Sequence, residues 1–343
     1  MAPARRCPHD VPVTRFALPP AEPSTTERWS SRTFRDELTT WCEGALGGPV
    51  RLEQHKLRPW STVWKVYDGS RLLFAKQNCL LQNFEAALVD ELSRIVPGHV
   101  VAPVAVDRDR GLLLADDQGP VLGEGTDDDV DTWCQVVGQW AQVQRAVVPH
   151  LDRLADIGVT AMHVADAEEY VADRTAQVAA LPPEDPRHLP AETARLLEAH
   201  LPVVRRWSEQ VAALGLPMTL NHNDLHAHNV FATHPPRFFD LGDSLVTEPL
   251  AALLIPLGWV AEEWPPEDPR LEKVASAFLE VWSDVTPMSE LRAALPAALQ
   301  LARLGRHEAW VRTMTPMTEA ELAEWGEAAP RWLATLLEEP PLG

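Results

Sequence analysis

Three histidines, an aspartate and three asparagines crowd the stretch NHNDLHAHNVF, residues 221–231. Two chemistries compete for it. His222 and His226 are four residues apart, the spacing that puts two imidazoles on one helix face for zinc. However, Asn223, Asp224 and Asn229 are poor helix-interior residues, and Leu220 and Val230–Phe231 look like strand ends. The stretch reads better as a loop between two short strands, which disfavours the zinc reading.

As a loop, its order is informative. His222 stands two before Asp224, Asn229 five after it, and Asp240 closes the apolar run RFFD eleven residues further on. This resembles the H-R-D-x-x-x-x-N and D-F-G pair of protein kinases. Phosphoryl transfer needs a carboxylate to orient the acceptor hydroxyl and take its proton. It also needs oxygen ligands that hold Mg2+ against the phosphates. Asp224 fits the first role, and Asn229 with Asp240 the second.

HNDLHAHN followed by FFDLGD also resembles the paired motifs H-G-D-L-H-x-x-N and D-x-x-D of the aminoglycoside phosphotransferase and choline kinase-like family. Asn223 stands where glycine is usual, His226 matches the second histidine and Asp243 the last aspartate. The likeness extends over about residues 50–312 and includes LARLGRHEAWVR as a late helix. It implies an α+β, bilobal protein-kinase-like fold. A small N-terminal β-sheet lobe carries one helix, and a larger lobe is mainly helical. It also implies ATP or GTP as phosphate donor, with Mg2+.

Such a site needs a lysine on the third strand and a glutamate on the next helix. LLFAKQN supplies Lys76 among apolar neighbours. NFEAALVDEL offers Glu85 or Glu91, and the family pattern favours Glu85 near the helix start; the bland alternative is a solvated first-turn acid. The phosphate-covering turn, RPWSTVWKV, lacks the usual glycines, so Ser61 and Thr62 are the expected hydroxyl and N–H donors. LLLADDQGP resembles the hinge, with Ala115 and Asp116 meeting the adenine edge.

The elements around these residues follow from periodicity. STVWKVYDG and RLLFAKQN are strands joined at Asp68-Gly69, a hairpin signal. Residues 50–116 read as three strands, a helix spaced by Phe84, Leu88, Leu92 and Ile95, and two strands. A helix is expected around residues 32–46. After Gly119-Pro120 the character turns helical. A helix follows the acidic run Asp127–Asp129, which suits its N-terminus. Others are expected near 165–180, 190–213, 247–262, 267–284, 288–304 and 318–337, interrupted by the non-helical island 216–243. The expected division is an N-terminal extension 1–47, a nucleotide lobe 48–119 and a helical lobe 120–343.

The chain has 343 residues with 50 acidic against 30 basic, net −20. That balance repels phosphate backbones, so nucleic acid is excluded as a partner class, while a cationic small molecule is attracted. Solubility alone is an equal explanation of the charge. Four scattered cysteines without C-x-x-C suggest a reducing compartment, the cytoplasm. No signal-like or membrane-spanning run is read. The expected assembly is a monomer or homodimer.

The expected activity is phosphorylation of a hydroxyl on a small polar molecule. An antibiotic, in resistance or self-protection, ranks first among acceptors. A metabolic sugar or amino-sugar kinase is the alternative, and a ligand-binding pseudokinase is a reading of another class. For the acceptor, the segment 258–269 brings Trp259, Glu262, Glu263 and Trp264 together, with core tryptophans in a helix linker as the equal alternative. Glu308 and Trp310 are further candidates, and Asp243 either touches substrate or supports the site.

Overall fold

A computed structural model describes residues 24–124, 129–265, 267–340 and 342. Strand alternation builds the first layer. Strands β1 (Arg51–Arg58), β2 (Ser61–Asp68) and β3 (Arg71–Asn78) form an antiparallel meander. Helix α3 (Glu85–Ile95) follows, then β4 (Pro103–Asp107) and β5 (Leu112–Asp116). The sheet order is β1-β2-β3-β5-β4. Gly69 takes a φ of 59° in the β2–β3 turn, a left-handed conformation that glycine adopts without strain.

Side chains alternate between the sheet faces. Trp64, Val66, Leu73, Ala75, Leu112 and Leu114 share one face and pack against Trp29, Phe34, Leu38 and Cys42. Those four come from α1 (Thr25–Trp29) and α2 (Arg32–Leu46). Ser31 caps α2 by accepting from the Phe34 amide. Trp29 is fully buried and its indole N–H donates to Gln77 Oε1 at 2.7 Å. The described part of the N-terminal extension thus closes the outer face of the sheet. Residues one step out of phase, Ser61, Val63, Phe74 and Lys76, face the opposite way.

The second layer is helical. It runs through α4 (Val130–Val147), α5 (Leu151–Ile157), α6 (Ala167–Ala179) and α7 (Ala191–Ala212). Asp129 accepts from the Thr132 amide as the cap of α4; Asp127 and Asp128 lie outside the described residues. Next come β6 (Thr219–Asn221), β7 (Val230–Phe231), β8 (Arg237–Phe238) and β9 (Leu245–Thr247), paired β6–β9 and β7–β8. The chain ends in α8 (Leu254–Ala261), α9 (Pro269–Glu280), α10 (Met288–Met314), α11 (Glu319–Trp325) and α12 (Ala328–Ala334). Trp133, Trp140, Tyr170, Phe278 and Trp282 anchor one continuous core under both strand pairs.

Three expectations change. The helix expected at 288–304 runs on to Met314. Gly305 lies within it with helical φ and marks a close approach, since a Cβ there would lie 2.8 Å from Asn223 Oδ1. The helix expected at 318–337 breaks into α11 and α12 around Gly326. The short helix α5 was not anticipated; Leu154 is its one buried residue, with Leu151 and Ile157 partly buried beside it.

Candidate active site

Lys76 leaves β3 toward α3 and the 216–243 island. Its Nζ lies 2.7 Å from Glu85 Oε2 and 2.5 Å from Asp240 Oδ1. Burial disfavours the ammonium, but the two carboxylates outweigh it and hold Lys76 protonated, above its ordinary range. The Glu85 side chain is 4% exposed. It accepts from the Leu241 amide at 2.8 Å and from Asn78 Nδ2 at 2.5 Å. A solvated first-turn acid is thereby ruled out. Glu91 instead pairs with Arg153 at 2.7 Å and Arg94 at 3.3 Å, away from Lys76.

The loop between β6 and β7 is held by its own backbone and by histidine. His222 is fully buried, bonds the Phe239 carbonyl through Nε2 at 2.9 Å and sits edge-on to Trp140. Burial pushes its imidazole down to about 4, so it is neutral and structural. Asn223 has a φ of 66°, the conformation glycine would adopt most easily and asparagine tolerates. Its amide donates to Gly305 O at 2.8 Å.

Asp224 is next. Asn229 Nδ2 donates to its carbonyl at 2.8 Å and to its Oδ2 at 3.2 Å. His226 Nε2 lies 3.5 Å from Oδ2, and Arg306 Nη1 lies 3.0 Å from Oδ1. Burial would raise the Asp224 carboxyl, but Arg306 and then His226 hold it well below the usual carboxylate range. It is an ionised acceptor.

Asn229 and Asp240 suit a hard cation. The Asn229 amide nitrogen is engaged by Asp224, which leaves Oδ1 as its ligand atom. Asp240 Oδ1 is on Lys76, and the carboxylate remains 38% exposed, open to an ion. The Phe239 amide donates to the Asn229 carbonyl at 3.2 Å, fixing the two segments side by side. Asp240 sits at a φ of 60°, a strained position for a non-glycine residue, of order 1–3 kcal/mol. Oxygen donors of this type match Mg2+ rather than zinc.

A cavity of about 320 Å3 opens between sheet and helical layer. Ser61, Lys76, Ala115 and Asp116 line it together with Val63, Val101 and Phe239. Thr62 does not. It is fully buried on the other sheet face, its hydroxyl bonded to Lys56 O at 3.3 Å. The period-2 alternation that places Ser61 inside must place Thr62 outside. The Asp116 side chain is clamped by Arg71 at 2.6 and 2.8 Å, which leaves backbone groups to face the cavity.

The glycine-free turn is a two-residue connection, Pro59-Trp60, with Arg58 paired to Ser61. Its tip is held by packing: Trp60 meets Trp310 and Trp325 edge to face, at 5.5 and 5.2 Å. Thr25 donates to Pro59 O at 2.5 Å, and Thr26 to Glu321 Oε1 at 2.6 Å. Trp310 therefore clasps the N-terminal hairpin rather than lining an acceptor site. Glu308 is likewise placed elsewhere, accepting from Tyr170 at 2.8 Å and Arg174 at 3.0 Å in the interior. Trp264 is buried beneath Arg270. Trp259 stacks on His226 with centroids 5.3 Å apart, beside Asp224, and Glu262 and Glu263 are exposed just beyond it. Asp243 has both oxygens engaged, by Gln82 at 2.6 Å and Arg306 at 2.8 Å.

Sequence reasoning missed Arg306, Arg312, Gln82 and Asn78. Arg312 donates to the Asp243 carbonyl at 2.8 Å. The available signal was the cluster of charged and polar residues Arg303, Arg306, His307, Glu308 and Arg312 late in a helix that begins mostly apolar and small.

Solved structures share this fold. Choline kinase LicA from Streptococcus pneumoniae superposes with a TM-score of 0.57 at 13% identity, over 88% of this chain and 99% of that one. The fold is that of the small-molecule kinases. Amicoumacin kinase hAmiN, solved with AMP-PNP, Ca2+ and Ami, gives 0.56 at 14% identity, over 90% and 95% of the two chains. Aminoglycoside phosphotransferase APH(4)-Ia gives 0.52 at 14% identity, over 88% and 99%. No family model and no curated protein matches the chain. Among the described residues of this kinase fold, no helix is long and apolar enough to cross a membrane.

Proposed function

We propose that the chain transfers the terminal phosphoryl group of ATP or GTP, with Mg2+, to a hydroxyl of a small polar molecule. One observation carries this reading. Lys76 and buried Glu85 form an ion pair that also engages the half-exposed Asp240 on the wall of the interlobe cavity. A buried lysine–glutamate pair is costly unless it serves a site. Lys76 is the donor for nucleotide phosphates, and Ser61 with the Pro59-Trp60 turn covers them. Ala115 and Asp116 offer backbone groups to the base. Bound between Asn229 Oδ1 and Asp240, Mg2+ would neutralise phosphate charge.

Asp224 orients the acceptor hydroxyl and takes its proton. Its ionised state makes it a positioning acceptor first and a base late in the transfer, as a loose phosphoryl transition state requires. The acceptor side is bounded by Trp259 on His226, a flat apolar surface suited to a sugar ring or an alkylammonium group. The exposed Glu262 and Glu263 and the net charge of −20 favour a cationic or aminated acceptor. Antibiotics of the aminoglycoside kind lead the candidates, ahead of amino sugars and choline-like metabolites.

The test is turnover of Mg-ATP and Mg-GTP against a panel: aminoglycosides, nucleoside and macrolide antibiotics, hexoses, glucosamine and choline. Mass spectrometry should show one acceptor gaining one phosphate. Nucleotide binding without transfer to any member would leave the donor half of the reading and remove the named acceptors. No nucleotide binding at all would reject it in favour of a pseudokinase.

A further inference from the structure

Arg306 is the feature of this site that the kinase chemistry above does not use. It projects from α10, is 7% exposed, and lies 82 residues along the chain from Asp224 (306 less 224). Its Nη1 alone reaches three oxygens: Asn223 O at 2.7 Å, Asp243 Oδ2 at 2.8 Å and Asp224 Oδ1 at 3.0 Å. Two protons on one nitrogen are shared among three acceptors of the same loop region. Among the described residues, the other ring or guanidinium nitrogen at the Asp224 carboxylate is His226 Nε2, at 3.5 Å and on the other oxygen.

The approach is arranged by neighbours. Gly305 lets α10 come up against Asn223, whose amide donates to the Gly305 carbonyl. Asp243 is itself tied to Gln82, which precedes α3, at 2.6 Å. A path of direct contacts therefore runs Gln82–Asp243–Arg306–Asp224. It parallels the one that joins Asn78 and Glu85 to Lys76 and Asp240.

We propose that Arg306 is a positioning residue for phosphoryl transfer: from α10 it locks the Asp224 carboxylate in the orientation that receives the acceptor hydroxyl, with Asp243 as its anchor. The inference rests on the phosphotransferase reading above. Asp224 Oδ1 is turned to Arg306, and Oδ2 remains on the side of Asn229 and His226. A carboxylate free to rotate would present either oxygen at the wrong distance, and a displacement of about 1 Å costs roughly 10²-fold in rate. Lysine supplies the charge without the planar fork, so it replaces arginine only in part.

The experiment uses the full chain with the acceptor from the panel. Wild type, Arg306→Gln, Arg306→Lys and Asp243→Asn are compared for Mg-nucleotide Kd, kcat and KM, with thermal melting alongside. Arg306→Gln is expected to lose on the order of 10²-fold in kcat, with nucleotide Kd within about threefold of wild type. Arg306→Lys should recover part of that loss, and Asp243→Asn should fall between the two. Retention of wild-type kcat in Arg306→Gln would overturn the proposal, as would equal losses in nucleotide affinity and kcat, the signature of a purely structural arginine. If Arg306→Gln does not fold, Asp243→Asn decides alone, because it loosens the anchor and leaves the arginine charge in place. Absence of phosphate transfer by wild type itself would instead reject the underlying phosphotransferase reading, and this inference with it.

Discussion

Replacing Glu85 by alanine separates a buried structural acid from an ordinary helix-start acid. A solvated first-turn glutamate contributes roughly 0.3–1 kcal/mol through the helix dipole. Glu85 is different in every respect that sets the energy. Its side chain is 4% exposed, and it accepts from Lys76 Nζ, Asn78 Nδ2 and the Leu241 amide at 2.7, 2.5 and 2.8 Å. Removing one partner of a buried pair costs about 3–5 kcal/mol. Lys76 keeps Asp240 at 2.5 Å, which pulls the estimate to the low end. The Leu241 amide then loses its acceptor, and an unsatisfied buried donor costs about 1–3 kcal/mol. Together the loss should be about 4 kcal/mol. Urea unfolding followed by tryptophan fluorescence and circular dichroism measures it, with Glu85→Gln as the isosteric partner. Glu85→Gln should retain the Leu241 contact and lose less. A loss below about 1 kcal/mol for Glu85→Ala would refute the buried-pair account and, with it, the argument that Lys76 is held in place from two sides.

Two further outcomes follow from the same geometry. Asp224→Asn keeps shape and removes charge; kcat should drop roughly 10²–10⁴-fold with nucleotide Kd unchanged, measured by coupled ADP release and by titration. Glu248 is buried with Oε1 unpartnered, and burial pushes its carboxyl from 4.5 up to about 8 despite the Leu250 amide. A raised acid stabilises the fold fully below the unfolded value of 4.5, and that contribution is lost as pH rises through about 8. The gap corresponds to roughly 5 kcal/mol. Wild type should therefore lose stability between pH 5 and 8, and Glu248→Gln should flatten that slope in denaturation series at stepped pH; identical slopes would contradict the assignment.

The readable parts of this protein are those encoded locally. Asp224 and Asn229 lie five residues apart in one loop, and Asp240 follows just after the short strand β8, so spacing alone could place them together. Lys76 and Glu85 are nine residues apart, joined by one short connection, and a strand-then-helix pattern brings them face to face. Thr62 shows where local reasoning was available but not carried through. Adjacent strand residues point to opposite faces, so Ser61 and Thr62 could not both serve one cavity, and the apolar residues in phase with Thr62, Trp64 and Val66, already marked its face as the one packed away from the cavity.

The acceptor-side misassignments have a different cause. Trp310 and Glu308 sit on α10, and which face of a helix meets which neighbour depends on contacts that sequence spacing does not contain. Trp310 meets Trp60 across 250 residues (310 less 60), and Glu308 meets Tyr170 and Arg174 across 138 and 134. Arg306 was hidden for the same reason. From Arg303 to Glu308 the helix is buried on all sides, so it has no polar face from which an active-site residue could be read. What marks Arg306 physically is a burial cost: a guanidinium at 7% exposure is retained only when anions meet it. The chain supplies two, Asp224 and Asp243, and both come from the motifs that first suggested phosphoryl transfer. A buried arginine within a helix that must touch a catalytic loop is therefore the long-range signal to seek in other chains of this fold: it points to the carboxylate being held, even where the helix itself carries no pattern.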